Sequence, residues 1–167
     1  MRILRALIGT LMAGLAAAAF AAPAESPDFV ADDAVRQAAE AAATDAVAIA
    51  RRQFNLKLDG SEASIDDVER ALVALNAAYA VVSPKPPDDQ LMPMARAFGA
   101  YVGEVYRKNH GATWGTVTLN GNRYPGFRTT SGVNVWPVGR VLNVITDGPD
   151  NDIAYFYRKL VAGPAKD

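Results

Sequence analysis

The sequence predicts an α+β protein in which N-terminal helices precede a small antiparallel three-stranded meander and two C-terminal helices. Apolar residues recur at steps of three and four over residues 65–82 and 91–105, which is typical of helices with one buried face. Residues 113–119 are rich in β-branched side chains, and the hairpin sequence Asn120-Gly121-Asn122 follows. Helical spacing returns over residues 153–161. Helices, then a meander, then helices that cover the same sheet indicate the α+β class.

The first residues have the pattern of a secretory signal. Arg2 and Arg5 precede a largely apolar run over residues 7–20, and Ala19-Phe20-Ala21 forms an A-x-A cleavage site. We therefore expect cleavage after Ala21 and export to the periplasm or the medium.

Composition narrows the classes of partner. The chain has 17 Lys and Arg against 18 Asp and Glu, and removal of the signal leaves 15 against 18, a net charge of about −3. No concentrated basic cluster is present, so we expect a protein partner and no nucleic acid. No segment after the signal is apolar enough to predict stable insertion into a membrane. With one histidine and no cysteine, we expect neither a metal site nor a disulfide, and no motif indicates a cofactor.

The predicted organisation is a signal peptide at 1–21, an alanine-rich N-terminal helix at 22–54 and a single α+β domain at 55–163. Ser26 and Pro27 are expected to begin the first helix, as its N-cap and first helical residue. Ser64 is expected to cap the second helix. The prolines over residues 83–87 then end it, because proline lacks the N–H that a helix interior needs.

Residues 95–114 are expected to organise the fold, as a helix that stops at Gly111 and leads directly into a strand. Gly99 and Gly103 lie one turn apart in that helix, and each costs roughly 1 kcal/mol relative to alanine. We therefore expect another backbone or a ligand to approach the helix closely there. Further along, Pro125-Gly126 interrupts the return strand of the meander and predicts an edge position or a bulge.

No specific catalytic constellation is present, and Glu104 and His110 are the candidate catalytic residues. Glu104 follows a glycine, so its carboxylate is a candidate general acid or base in a partly dry pocket. The alternative is a structural carboxylate that accepts from backbone N–H groups of the sheet or pairs with Lys108 at i+4. For His110 the alternative is a helix-end or surface residue.

Two segments resemble an uncharacterised family of small bacterial proteins, a domain of unknown function. The family pattern is an L-D-x-S-x-x-S loop before a helix, then a G-x-Y-x-G-E helix, a glycine and a tryptophan-bearing strand. The matching residues here are Leu58, Asp59, Ser61, Ser64, Ile65, Val68 and Glu69, then Gly99, Tyr101, Gly103, Glu104, Gly111 and Trp114. The resemblance covers roughly residues 54–161 and implies no particular activity or catalytic residue.

Two functions remain open from the sequence. The first is a non-enzymatic exported protein that binds another protein, such as an inhibitor or an immunity-like factor. The second is a small-ligand binder or hydrolase with a pocket near Glu104, His110 and Trp114. The candidate binding residues are Tyr101, Glu104, Trp114 and Trp136, because aromatic side chains are common at recognition sites.

Overall fold

A computed structural model describes residues 28–148, 150 and 152–163 and confirms the α+β class. The predicted signal peptide, its cleavage site and the expected helix start at Ser26 and Pro27 lie outside the described residues. The strands are β1 (Asp28–Ala31), β2 (Ala112–Leu119), β3 (Asn122–Thr129) and β4 (Asn134–Val135). The helices are α1 (Asp33–Ile49), continued by a π-helical turn (Ala50–Phe54), α2 (Ser64–Val81), α3 (Asp88–His110), α4 (Pro137–Asp147) and α5 (Ile153–Ala162).

The sheet of the described residues has four antiparallel strands in the order β1-β2-β3-β4. The predicted three-stranded meander is present as β2-β3-β4, and β1 adds a fourth strand that was not predicted. The extra strand precedes the first helix, where the sequence predicted a helix from Phe29 onward. Phe29 instead pairs with Val117 of β2. Helix α1 begins later, after Asp32, whose carboxylate accepts from the Ala34 N–H at 2.8 Å. Pairing across almost ninety residues of chain overrides local propensity here.

The β2–β3 hairpin follows the expected turn closely. Asn120 and Gly121 both have positive φ, 51° and 76°, as a two-residue turn of type I′ requires. No bulge forms at Pro125, which pairs in register with Thr116. Strand β4 pairs with β3 only at Phe127 and Arg128. Pro125 therefore has no pairing residue in β4, although β3 is an inner strand of the sheet. That position accommodates a residue without an N–H.

Helix α3 is the centre of the core, and its two interior glycines are close-approach positions, as expected. A Cβ on Gly99 would lie 2.7 Å from the Cα of Val138, so the backbone at the start of α4 rests on this turn. A Cβ on Gly103 would lie 2.5 Å from Cζ2 of Trp114. The helix ends at Gly111, the C-cap, with φ 76°. Helix α4 therefore packs against α3 at Gly99, and Trp114 of the sheet packs against it one turn later, at Gly103.

Helix α1 packs along α3 through its small side chains. Ala39, Ala43 and Ala46 are buried, and so is Ala50 in the π-helical turn. Alanine favours the helix and lets two helix axes approach each other. Residues of α1 and α3 together line both of the clefts that are described below.

Helix α2 starts at Ser64, so Ser64 is its first residue and not its N-cap, which is Ala63. The Ser64 hydroxyl instead donates to the Ser61 carbonyl, and its oxygen also lies within hydrogen-bond distance of the Tyr101 hydroxyl. Glu69 of α2 accepts from the Ile153 N–H at 2.6 Å and thereby holds the start of α5.

Candidate functional site

Glu104 has a fully bonded, buried carboxylate. The residue is 3% exposed. Its Oε1 accepts from Nε1 of Trp114 at 2.7 Å, and both oxygens accept from Arg107 at 2.8 Å in a two-bond pair. The expected pairing with Lys108 is replaced by this pair with Arg107 at i+3. The carboxylate therefore fixes the Trp114 indole against the helix.

The surroundings of Glu104 favour its charged form. Burial alone would raise its pKa, but the hydrogen bonds from Arg107 and Trp114 outweigh burial and hold the pKa below its usual range. A carboxylate of depressed pKa is a weak base and is not a proton donor near neutral pH. Arg107 also reaches Glu40 of α1 at 3.3 Å, so the network ties α1 to α3. These contacts account for Glu104 as a structural carboxylate.

Tyr101 is held by the loop that precedes α2. Its hydroxyl accepts from the Gly60 N–H at 2.8 Å and lies 2.6 Å from Oγ of Ser64. Burial raises the pKa of Tyr101, which keeps the phenol neutral. Tyr101 and Glu104 line a polar cleft of about 450 Å³ between α1, α3 and this loop. Arg107 also lines that cleft, and its guanidinium pairs there with the carboxylates of Glu40 and Glu104.

His110 is separated from Glu104 and belongs to another cluster. Its Nε2 lies 2.6 Å from Oε1 of Glu62, which also accepts from the Tyr157 hydroxyl at 2.8 Å. Hydrogen bonds from His110 and then Tyr157 lower the pKa of Glu62. Burial, reinforced by Glu62, raises the pKa of Tyr157. The structure therefore brings Glu104 and Trp114 together but does not place His110 with them.

A second, larger cleft lies on the other side of the Trp114 indole. It has a volume of about 730 Å³ and is walled by α1, α3, the β2–β3 hairpin and the start of α4. Both tryptophans of the chain line it. The full lining is Val35, Ala38, Ala39, Ala42, Met92, Arg96, Ala100, Trp114, Leu119, Tyr124, Pro125, Trp136, Val138 and Gly139. We call this space the tryptophan cleft.

The tryptophan cleft follows from the architecture of α3. Its wall on that helix consists of Met92, Arg96 and Ala100, which are spaced four residues apart and so share one face. Gly99 brings α4 onto the helix beside this face, and Gly103 admits Trp114 one turn later. The cleft thus lies over α3, between the β2–β3 hairpin and α4, which both pack on that helix.

Trp114 and Trp136 were predicted as binding residues, and both line this cleft, although the predicted pocket was near Glu104, His110 and Trp114. The other residues of the cleft wall were not predicted. A stripe of Met92, Arg96 and Ala100 was visible as i, i+4 spacing, yet nothing local distinguishes it from an ordinary helix face. The α1 wall could not be predicted, because it consists mostly of alanines, whose small side chains do not distinguish a cleft wall from a packed helix face. Only the crossing of the helices with the hairpin creates the site.

The described residues contain no group of three or more His, Cys, Asp or Glu side chains that could hold a metal ion. Within residues 28–163, apart from the undescribed positions 149 and 151, no helix has the length and apolar character that crossing a membrane requires.

Comparisons with known proteins bear on the fold alone. No protein-family model matches the chain, and none of the curated proteins matches it. Among solved structures, the chain is similar to a crystal structure from Bacteroides thetaiotaomicron VPI-5482 at 1.50 Å resolution, with a TM-score of 0.58 at 15% sequence identity. The similarity covers 83% of this chain and 48% of that one, so the chain spans about half the length of the protein it matches. Membership of the family that the loop and helix motifs resemble stays a prediction.

Proposed function

We propose that the chain is an exported protein that binds a small, predominantly apolar molecule in the tryptophan cleft. The observation that carries the proposal is a concave space of about 730 Å³ lined by two indoles and by aliphatic side chains. Ligand sites commonly have volumes of roughly 300–1,000 Å³ and mostly apolar walls with a few placed polar groups. The second function that the sequence left open is thereby moved from Glu104 and His110 to the opposite side of Trp114.

The walls supply binding energy through burial of apolar surface. Transfer of apolar area from water contributes about 25 cal/mol per Å², so a ligand that is covered on most sides gains several kcal/mol. Trp114 is held in place because its N–H donates to Glu104. Its ring already fills the space over Gly103, so it cannot move closer to the helix. A pre-organised aromatic wall loses little conformational entropy when a ligand binds.

We also propose that the mature chain acts in the periplasm or the medium, because the first 21 residues have the pattern of a secretory signal. The localisation is part of the proposal and is tested by fractionating cells that express the full chain. Recovery of the uncleaved chain in the cytoplasm would overturn it.

The test of binding uses a neutral apolar fluorophore, N-phenyl-1-naphthylamine, titrated into purified protein. We expect saturable enhancement of its fluorescence at one site per chain. Ala38→Phe fills part of the cleft from an exposed position of α1, and it should weaken binding at least tenfold. Ala41→Phe is the matched control, because Ala41 is exposed on the same helix but does not line the cleft. Absence of saturable binding, or equal losses in both variants, would refute the proposal.

A second candidate function is the protein-binding module that the sequence indicated, of an inhibitor or immunity-like kind. The observation that favours it is β1, an edge strand of the described sheet that carries Val30 at 61% exposure. Edge strands pair readily with an extended segment of another chain. Under this alternative, a periplasmic partner co-purifies with the native chain and is lost in Val30→Lys. If no partner depends on Val30, the candidate fails.

A further inference from the structure

The tryptophan cleft has an unequal set of polar groups. Among its described lining residues, Arg96 alone carries a formal charge, and none is a carboxylate. Its other polar side-chain groups are the phenol of Tyr124 and the indole N–H of Trp136, while the N–H of Trp114 is already taken by Glu104. Hydrogen-bond donors therefore outnumber acceptors in an otherwise apolar space.

Two of these donors have no partner among the residues that the structure describes. Nε1 of Trp136 is buried and makes no hydrogen bond to any described residue. A buried donor without a partner is costly, so such groups in native proteins usually meet water or a ligand. The guanidinium of Arg96 likewise forms no ion pair within the described part of the chain, whereas Arg36 and Arg107 are both bonded to carboxylates.

The placement of Arg96 suits the head group of an amphipathic molecule. It lies between Met92 and Ala100 on the α3 face that forms the cleft wall, and the residue is exposed. A long arginine side chain can lie along apolar neighbours and keep its charged end at the mouth of a cleft. The apolar body of a ligand would then occupy the interior, with its charged end at the rim.

We propose that the ligand of the tryptophan cleft is an aliphatic monocarboxylic acid, a free fatty acid, whose carboxylate pairs with Arg96. This inference rests on the proposed binding function and specifies its ligand. One guanidinium matches one carboxylate through two parallel hydrogen bonds. A phosphate monoester carries close to two negative charges, and the described residues that line the cleft supply no second cation to compensate the other. The Trp136 N–H is a further donor available to an acceptor in the cleft.

The experiment compares dodecanoate, 1-dodecanol and dodecyl phosphate as competitors of N-phenyl-1-naphthylamine at pH 8, below the concentrations at which they aggregate. We expect dodecanoate to bind at least tenfold more tightly than the other two. Arg96→Gln should weaken the binding of dodecanoate about tenfold to a hundredfold more than it weakens the binding of the neutral fluorophore. Arg123→Gln is the control, since it makes the same charge change at an exposed residue that does not line the cleft.

The outcomes separate the two proposals. If the fluorophore binds but dodecanoate is no better than dodecanol, or if dodecyl phosphate binds most tightly, the fatty-acid assignment is overturned while the binding function stands. Equal weakening of dodecanoate by Arg96→Gln and Arg123→Gln also overturns it. If neither the fluorophore nor dodecanoate binds, the proposed function itself has failed, and this inference fails with it.

Discussion

Replacement of Gly103 by alanine tests how the central helix holds the sheet. The added Cβ would lie 2.5 and 2.6 Å from Cζ2 and Cη2 of Trp114 and 3.3 Å from Cε1 of Phe127. Carbon atoms do not approach each other to 2.5 Å, so the indole must move. Its Nε1 is fixed at 2.7 Å from Glu104, which means that the movement strains or breaks a buried hydrogen bond to a charged group.

The magnitude follows from three contributions. Overpacking a tight core costs about 1–3 kcal/mol. Loss of a hydrogen bond to a charged group adds about 1.5–3 kcal/mol. Alanine is a better helix former than glycine by about 1 kcal/mol, which offsets part of this. We therefore expect Gly103→Ala to lower the free energy of unfolding by about 1.5–5 kcal/mol.

The assay is urea unfolding followed by far-UV circular dichroism, with Gly139→Ala as the matched control. Gly139 is also a helical glycine, but a Cβ there would meet nothing within 4 Å. That variant should be as stable as the native protein or up to about 1 kcal/mol more stable. Gly103→Ala with native stability, or with the same gain as the control, would refute the close-packing argument.

Three further predictions concern the polar network. Glu104→Gln removes the charge that pairs with Arg107 and should destabilise the protein by about 2–4 kcal/mol, measured by urea unfolding; native stability would show that Glu104 is not structural. Because the pKa of Glu104 is lowered in the folded state, its contribution is complete at neutral pH and is lost in acid, as pH falls from the ordinary glutamate pKa through the lowered one. The stability difference between the native protein and Glu104→Gln should therefore shrink in acid, and a constant difference would contradict the pKa assignment. Tyr101→Phe removes the hydroxyl that bonds to Ser64 and the Gly60 N–H, and thermal unfolding should show a loss of about 1–3 kcal/mol; no loss would mean that this loop is held in other ways.

The elements of the fold that depend on local chemistry were predictable. The type I′ turn at Asn120-Gly121, the helix stop at Gly111 and the amphipathic α2 all follow from short-range rules. The close approach at Gly99 and Gly103 was also predictable, because two interior glycines are costly unless something occupies the space they leave.

The elements that depend on distant pairing were not predictable from local patterns. Four residues, Asp28–Ala31, form a strand only because β2 offers an edge that becomes available long after them in the chain. Ser64 had the chemistry of an N-cap, but its hydroxyl is used by Tyr101 of another helix. In both cases a tertiary contact decided between two locally acceptable conformations.

The candidate site divides in the same way. Trp114 and Trp136 were identified by residue type, and both line the tryptophan cleft. Arg96 was missed because a charged residue on a helix is usually solvated, and its position at a cleft mouth depends on where α1 and α4 cross α3. Glu104 was singled out because it follows Gly103. The Trp114 indole packs over that glycine and donates its N–H to Glu104.

The most direct test of the tryptophan cleft is contact quenching by a bromine-labelled ligand. Because both tryptophans of the chain line the cleft, bound 1-bromonaphthalene should quench the intrinsic fluorescence strongly and saturably. Gly139→Leu adds a side chain at an open position of the cleft wall. The affinity for 1-bromonaphthalene that the quenching reports should fall at least tenfold in this variant, while the protein stays folded. Quenching that rises linearly without saturation, and equally in both proteins, would show that no apolar ligand binds between the two indoles.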